Sequence, residues 1–263
     1  MLDKQIKNIP GKVIWCKKCC ISNQRPRIIF DKNKICSACK FADYKNTINW
    51  KKREEELLRL LDKHRSKNSN WDVIVPSSGG KDSGFVAHQL KYKYGMNPIT
   101  ITWSPLEYTA IGRYNFNSLI NSGISNFLYT PSGQLQKKLA RLCFEELGDA
   151  FHVFVLGQVN FPFHMALKLN INLVFYGENG ELEYAGDPKH KDKPYKPMSE
   201  WTNQHFKGVK FDDLVKYGLK NKKYLSKKDL LNGDLEYYKI PSLQKLNKAG
   251  IKGKHFFSYY KKW

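Results

Sequence analysis

Over residues 51–65, Leu57, Leu58, Leu61 and His64 recur at helical spacing among charged positions, which predicts an amphipathic helix. Residues 66–70 are polar and read as a linker. The pattern then changes. Residues 71–76 form a continuous apolar run with β-branched members that ends in a glycine turn, the mark of a strand buried on both faces. A helix is expected over 82–94, with Phe85, Val86 and Leu90 inward and Gly95 as its stop. Further strands are expected over 99–103, 126–130 and 173–176, with helices over 134–147 and 161–169. Strand and helix alternating at this pitch predict an α/β fold in which a parallel sheet carries helices on both faces.

Past Gly186, residues 187–197 are rich in Pro and Lys and predict a loop. Short helices follow over 211–219, over 227–231 after a Ser226 cap, and over 242–248 closed by Gly250. Residues 255–263 are aromatic, read as strand-like and lack a polar ending, so a truncated chain is expected. Three segments result: 1–66, a cysteine-rich unit with its helix; 71–185, the α/β domain; and 186–263, a helical region suited to substrate binding. No internal repeat is present.

Composition narrows the class. With 263 residues and 41% hydrophobic content, the chain can fill one large or two modest cores. The most apolar region, 151–176, is interrupted by His152, Gln158, Asn160, His164 and Lys168, so it lacks the roughly 20 apolar residues of a membrane span. Lysines run through the first 20 residues with no apolar stretch, which excludes a signal peptide and predicts a cytoplasmic protein. A net charge of +21 invites a nucleic-acid reading. However, the basic residues are 38 lysines and only seven arginines, and phosphate and base recognition leans on arginine geometry. A solvated lysine surface is the better reading.

Two motifs carry chemistry. Directly after the first strand comes Ser77-Ser78-Gly79-Gly80-Lys81-Asp82-Ser83, and then a helix. Glycines let the backbone approach an anion, successive N–H groups form a nest, and the helix start adds partial positive charge. The Ser78 and Ser83 hydroxyls suit phosphate oxygens, and a carboxylate at Asp82 implies an intervening Mg2+. Separately, Cys16-x-x-Cys19 and Cys36-x-x-Cys39 have zinc-ribbon spacing, and four thiolates would close a structural tetrahedral site. Cys20 is one residue out of step. Cys143 lies among leucines and reads as core packing. His88, His152 and His164 read as ordinary helix or core histidines.

The loop is similar to the PP-loop signature Ser-Gly-Gly-x-Asp-Ser of the ATP-pyrophosphatase superfamily, which implies ATP cleavage between the α- and β-phosphates. By that resemblance Thr102 and Trp103 sit where adenine is received. The ordered set Cys16-x-x-Cys19, Ser22-Asn23-x-Arg25-Pro26-x-Ile28, Phe30-Asp31, Ile35-Cys36-x-Ala38-Cys39, Trp50, the loop, and Tyr176-Gly177-Glu178-Asn179-Gly180-Glu181 resembles the N-acetyl sugar amidotransferases over nearly the whole chain. Such a family implies conversion of an acetamido sugar to an acetamidino sugar in surface glycan biosynthesis of the O-antigen or pseudaminic type. It also implies an adenine nucleotide alpha hydrolase-like PP-loop fold with an N-terminal zinc ribbon, and a class I glutaminase partner that supplies ammonia. Members usually continue past the region matching 256–263.

Catalytic candidates are Lys81, Asp82 and Glu178. Asn179, Glu181 and Glu183, after the strand at 173–176, are candidates for the sugar. Asp187 and His190 are weaker ones. Two rivals stand beside this reading. A tRNA-modifying, thiolation-type PP-loop enzyme is favoured by charge and ribbon but lacks a reactive cysteine pair; a non-catalytic zinc-ribbon binding module needs no nucleotide.

Overall fold

The structure is a computed structural model that describes residues 2, 9–25, 28–177, 193–195, 208–231 and 233–260. Five strands form one sheet: β1 (Val73–Pro76), β2 (Pro98–Trp103), β3 (Ser125–Tyr129), β4 (Leu173–Tyr176) and β5 (Lys252–His255). All pairings are parallel, in the order β3-β2-β1-β4-β5. The helices are α1 (Ser37–Tyr44), α2 (Trp50–His64), α3 (Lys81–His88), α4 (Ala110–Asn121), α5 (Gly133–Leu147), α6 (His152–Leu169), α7 (Phe211–Lys220) and α8 (Leu243–Lys248).

Alternation within the buried strands sorts side chains into two cores. Ile74, Ile99, Ile101, Trp103 and Val174 face α5, α6, α7 and α8. On the other face, Val73, Val75, Leu173 and Phe175 meet Leu57 and Leu61 of α2, Val86 and Leu90 of the α3 region, and the aromatic residues Phe256, Phe257 and Tyr259. Helices thus cover both faces, as a parallel sheet requires. The third segment supplies β5, whose register is Leu173↔Lys252 to Tyr176↔His255.

Local chemistry explains the element ends. Asn49 caps α2 by accepting from Lys52 N–H at 3.0 Å, and Ser132 caps α5. The helix that follows the glycine turn passes from α3 into a π turn over Gln89–Lys93 and stops at Gly95 with φ 62°. Ser242 caps α8, and Gly250 with φ 66° ends the turn after it.

Three expectations change, and one helix, α4, was not anticipated. Leu58 is 41% exposed, because the buried stripe of α2 runs through Leu57 and Leu61. The helix expected over 161–169 spans His152–Leu169, straight through Pro162. It is enclosed on most sides, so its sequence shows no single apolar stripe and its true start is hidden. Helix α4, started by Thr109 accepting from Gly112 N–H at 3.1 Å, has only Phe116 and Leu119 buried and leaves little periodic signal. At the aromatic run the strand ends at His255, and Phe256–Ser258 is a 3-10 turn that brings Phe256 and Tyr260 into stacked contact at 5.6 Å. Among the described residues, no helix is long and apolar enough to cross a membrane.

Candidate functional site

Strand β1 is where the sheet order reverses. The chain runs outward from β1 to β2 and β3, then returns to the other side of β1 for β4 and β5. Open α/β sheets take ligands in the crevice at the carboxyl ends of the strands flanking such a point. The turn at 77–83 leaves β1 at that edge.

Its geometry is fixed by a short relay. Gly79 N–H donates to Ser77 Oγ at 3.3 Å, Ser77 Oγ lies 2.9 Å from Ser83 Oγ, and Ser83 Oγ donates to Gly80 O at 3.2 Å. The hydroxyls of Ser77 and Ser83 therefore brace the turn from within. Ser78 is exposed at its tip. Gly79 adopts φ 85°, and a Cβ there would lie 2.7 Å from the backbone N and Cα of Phe116. The turn thus rests on the main chain of α4. Gly80 is the N-cap of α3 and no side chain caps that helix, so its first N–H groups point out without an N-cap acceptor. A helix start of this kind receives anions.

Lys81 Nζ lies 2.9 Å from Asp82 Oδ1 in a pair whose side chains are 69% and 23% exposed, so solvent screens it. Gly177 closes the other side of the crevice: a Cβ on it would come 3.5 Å from Asp82 Cβ. Its carbonyl accepts from Phe257 N–H at 3.1 Å, and Phe257 stacks on Phe85 of α3 at 6.0 Å. The ends of β1 and β4 therefore meet beside Asp82. Glu178, Asn179, Glu181, Glu183, Asp187 and His190 lie outside the described residues.

Thr102 and Trp103 are both buried. Thr102 Oγ1 donates to Ser77 O and accepts from Asn126 Nδ2 at 2.8 Å. The Trp103 ring packs 4.8 Å from that of Tyr238 and 5.2 Å from that of Tyr129. Neither side chain is therefore open to a ligand at this strand end.

Two open depressions, of 490 and 310 Å3, share Asn70, Trp71, Leu169 and Ile171 at the amino ends of β1 and β4. They lack a phosphate-binding turn and lie at the edge opposite to the one the strand-end rule favours.

The four cysteines of the first segment come together. Cys16, Cys19, Cys36 and Cys39 place their Sγ atoms within 4.8 Å of one another. Cys16 and Cys39 are 4.0 Å apart and Cys19 and Cys36 are 3.7 Å apart. Tetrahedral Zn–S bonds of about 2.3 Å require S–S separations of about 3.8 Å, so the set fits a structural zinc. N–H groups of Lys18 and Cys36 each donate to Cys16 Sγ at 3.3 Å, and that of Cys39 to Cys36 Sγ at 3.4 Å. These bonds orient the sulfurs as outer-shell donors do. Burial works against the Cys16 thiolate, but the donors outweigh it and lower its pKa to about 6. Burial, together with neighbouring thiols, raises Cys36 and Cys39 above the ordinary thiol value, as expected where four sulfurs share one charge-poor space. Cys20 is exposed and stands outside the set.

Cys143 is fully buried among Leu139, Leu142 and Leu147. His164 is buried against Lys239 O at 2.8 Å and His152 is buried too, whereas His88 is exposed on α3, its ring 4.7 Å from that of Tyr92.

No family model matches the chain, and no curated protein matches it. Phe116 was not legible as a site residue, because it acts through its main chain and carries no motif; Gly177 lay in the motif at 176–181, but its place beside Asp82 depends on tertiary structure.

Proposed function

We propose that the chain is a PP-loop ATP pyrophosphatase that adenylates an oxygen of its substrate, acting as an amidotransferase on an N-acetyl sugar. The observation that carries the reading is the turn at 77–83, held at the sheet's reversal point with Gly79 at φ 85° and an uncapped helix start behind it. Backbone N–H groups there suit the β- and γ-phosphates, leaving the α-phosphate toward the crevice.

Each residue has a task in this scheme. The Gly79 and Gly80 main chain grips the outer phosphates, Ser78 donates to them, and Ser77 and Ser83 hold the turn rigid. Lys81 offsets charge that develops on the leaving pyrophosphate. Asp82, with hydroxyl groups nearby, is a hard oxygen donor that fits Mg2+ shared with the polyphosphate, and the ion would supply Lewis-acid charge neutralisation when bound. The acetamido oxygen forms a bond to the α-phosphorus as the bond to pyrophosphate breaks. Ammonia then adds to the activated carbon, AMP leaves with the former amide oxygen, and an acetamidino group remains. Orientation supplies much of the rate. Glu178, Asn179, Glu181 and Glu183 follow Gly177 in the chain and are assigned to the sugar and to ammonia. A class I glutaminase subunit supplies that ammonia, and zinc at the four cysteines is structural.

Burial of Cys143 speaks against thiolation chemistry, which needs an accessible thiolate. The reading is tested by incubating the chain with ATP, Mg2+, ammonium and N-acetyl sugars and analysing products by mass spectrometry. Expected are AMP and a sugar in which NH replaces O. Release of ADP and inorganic phosphate instead, or equal nucleotide binding by Asp82→Ala, would overturn it.

A further inference from the structure

The cysteine ribbon exposes apolar side chains that a self-contained zinc module has no use for. Trp15 is 61% exposed, Ile29 54%, Val13 48% and Ile9 47%. Isolated exposed hydrophobics are ordinary, but four large ones within 21 residues are a surface feature. Among the described residues Trp15 has no ring partner.

Their presentation is rigid. Trp15 bridges to Ser22 in an antiparallel pair, and Cys16 beside it belongs to the four-sulfur cluster. Asn23 clamps the same strand: its Oδ1 accepts from Ile14 N–H at 2.9 Å and its Nδ2 donates to Lys12 O at 2.9 Å. Gln24 Nε2 adds a bond to Pro10 O at 2.6 Å. Ile14 between them is partly buried, and alternation holds Val13 and Trp15 together on the more exposed side.

The segment that carries this strip is basic, although Lys18 is paired with Asp43 just beyond it. Residues 9–40 carry six lysines and two arginines against a single acid, Asp31, which pairs with Lys40 at 3.4 Å. Lys12, Lys17, Lys32 and Lys34 are exposed and make no ion pair among the described residues.

From this we infer that the ribbon is a docking module for an anionic lipid bilayer, with Val13 and Trp15 entering the headgroup and acyl boundary and the lysines meeting lipid phosphates. Exposed indole and aliphatic groups in a segment of exposed lysines are the chemistry of interfacial binding. Nucleic acid is the lesser fit, since Ile9, Val13 and Ile29 cannot stack on bases and lysine rather than arginine supplies the charge. The module is independent of the phosphate turn.

Flotation of the zinc-loaded chain with vesicles tests it. With phosphatidylcholine vesicles containing about one third phosphatidylglycerol, the chain floats, and with pure phosphatidylcholine it floats about tenfold less. The triple substitution Val13→Ser, Trp15→Ser, Ile29→Ser cuts the bound fraction about tenfold while zinc content stays unchanged, because these side chains support no core. As a second variant, Lys12→Glu with Lys17→Glu and Lys34→Glu abolishes the preference for the anionic vesicles. Equal flotation of the triple variant and the unaltered chain overturns the inference. So does a lack of vesicle binding accompanied by an RNA mobility shift that depends on Trp15.

Discussion

Gly79 and Phe116 are in main-chain contact: a Cβ on Gly79 would lie 2.7 Å from both N and Cα of Phe116, at a φ of 85°. Neither backbone can yield without moving the turn or α4. Gly79→Ala should therefore destabilise the chain by about 3 kcal/mol from strain and overlap together. Gly80→Ala is the control, since its nearest neighbour would be Ser78 Oγ at 3.7 Å, and its cost should stay at about 1 kcal/mol or less, that of losing glycine from an N-cap. Urea denaturation of both variants checks this; equal midpoints would refute it.

Helix α6 crosses the sheet at Gly157, where an added Cβ would fall 2.1 Å from Cε2 of Trp103. Tyr129, Phe161 and Tyr238 surround that ring, so it has nowhere to go. Gly157→Ala should cost about 1–3 kcal/mol through overpacking. Combining it with Trp103→Phe should recover part of the loss, a coupling that a double-mutant cycle measures directly.

Acid should loosen the join between α5 and the segment after α7. Glu145 accepts from Arg141 Nε at 2.6 Å, Lys223 Nζ at 2.9 Å and Tyr224 OH at 2.8 Å, which lowers its pKa from 4.5 to about 2. A carboxyl depressed in the folded state contributes stability above its unfolded value and loses it as pH falls toward the folded one. The loss should thus fall between pH 4.5 and about 2. Glu145→Gln should flatten the stability profile in that window and leave its shape near neutrality unchanged.

Purified chain should carry about one zinc under reducing conditions, and chelation should remove the order of the ribbon while the sheet persists. Metal analysis and proteolysis with and without chelator check this. Less than about half a zinc per chain would count against the assignment. Cys20→Ser should leave the zinc content intact, whereas Cys36→Ser should abolish it.

Cys143→Ala should retain AMP formation at near the unaltered rate, with a stability cost of about 1 kcal/mol or less for a small buried thiol. Loss of AMP formation in a folded variant would put the thiolation reading ahead of the amidotransferase one.

The sequence by itself determined the class. Apolar runs at 71–76, 99–103 and 173–176 bury both faces and so read as parallel strands without reference to partners. Motifs set by local geometry were equally legible: Gly79 and Gly80 ahead of a helix, and two Cys-x-x-Cys turns that structure brings within 4.8 Å. Tertiary structure alone decided the rest. Strand order, the meeting of Gly177 with Asp82, and the support of Gly79 by Phe116 join residues far apart in the chain through backbone, where side-chain identity leaves no trace. The full length of α6 was hidden for a related reason: a helix enclosed by a core needs no polar face, so its pattern carries no period to read. Thr102 and Trp103 show the same limit, because whether a strand-end side chain faces ligand or core depends on what packs against it.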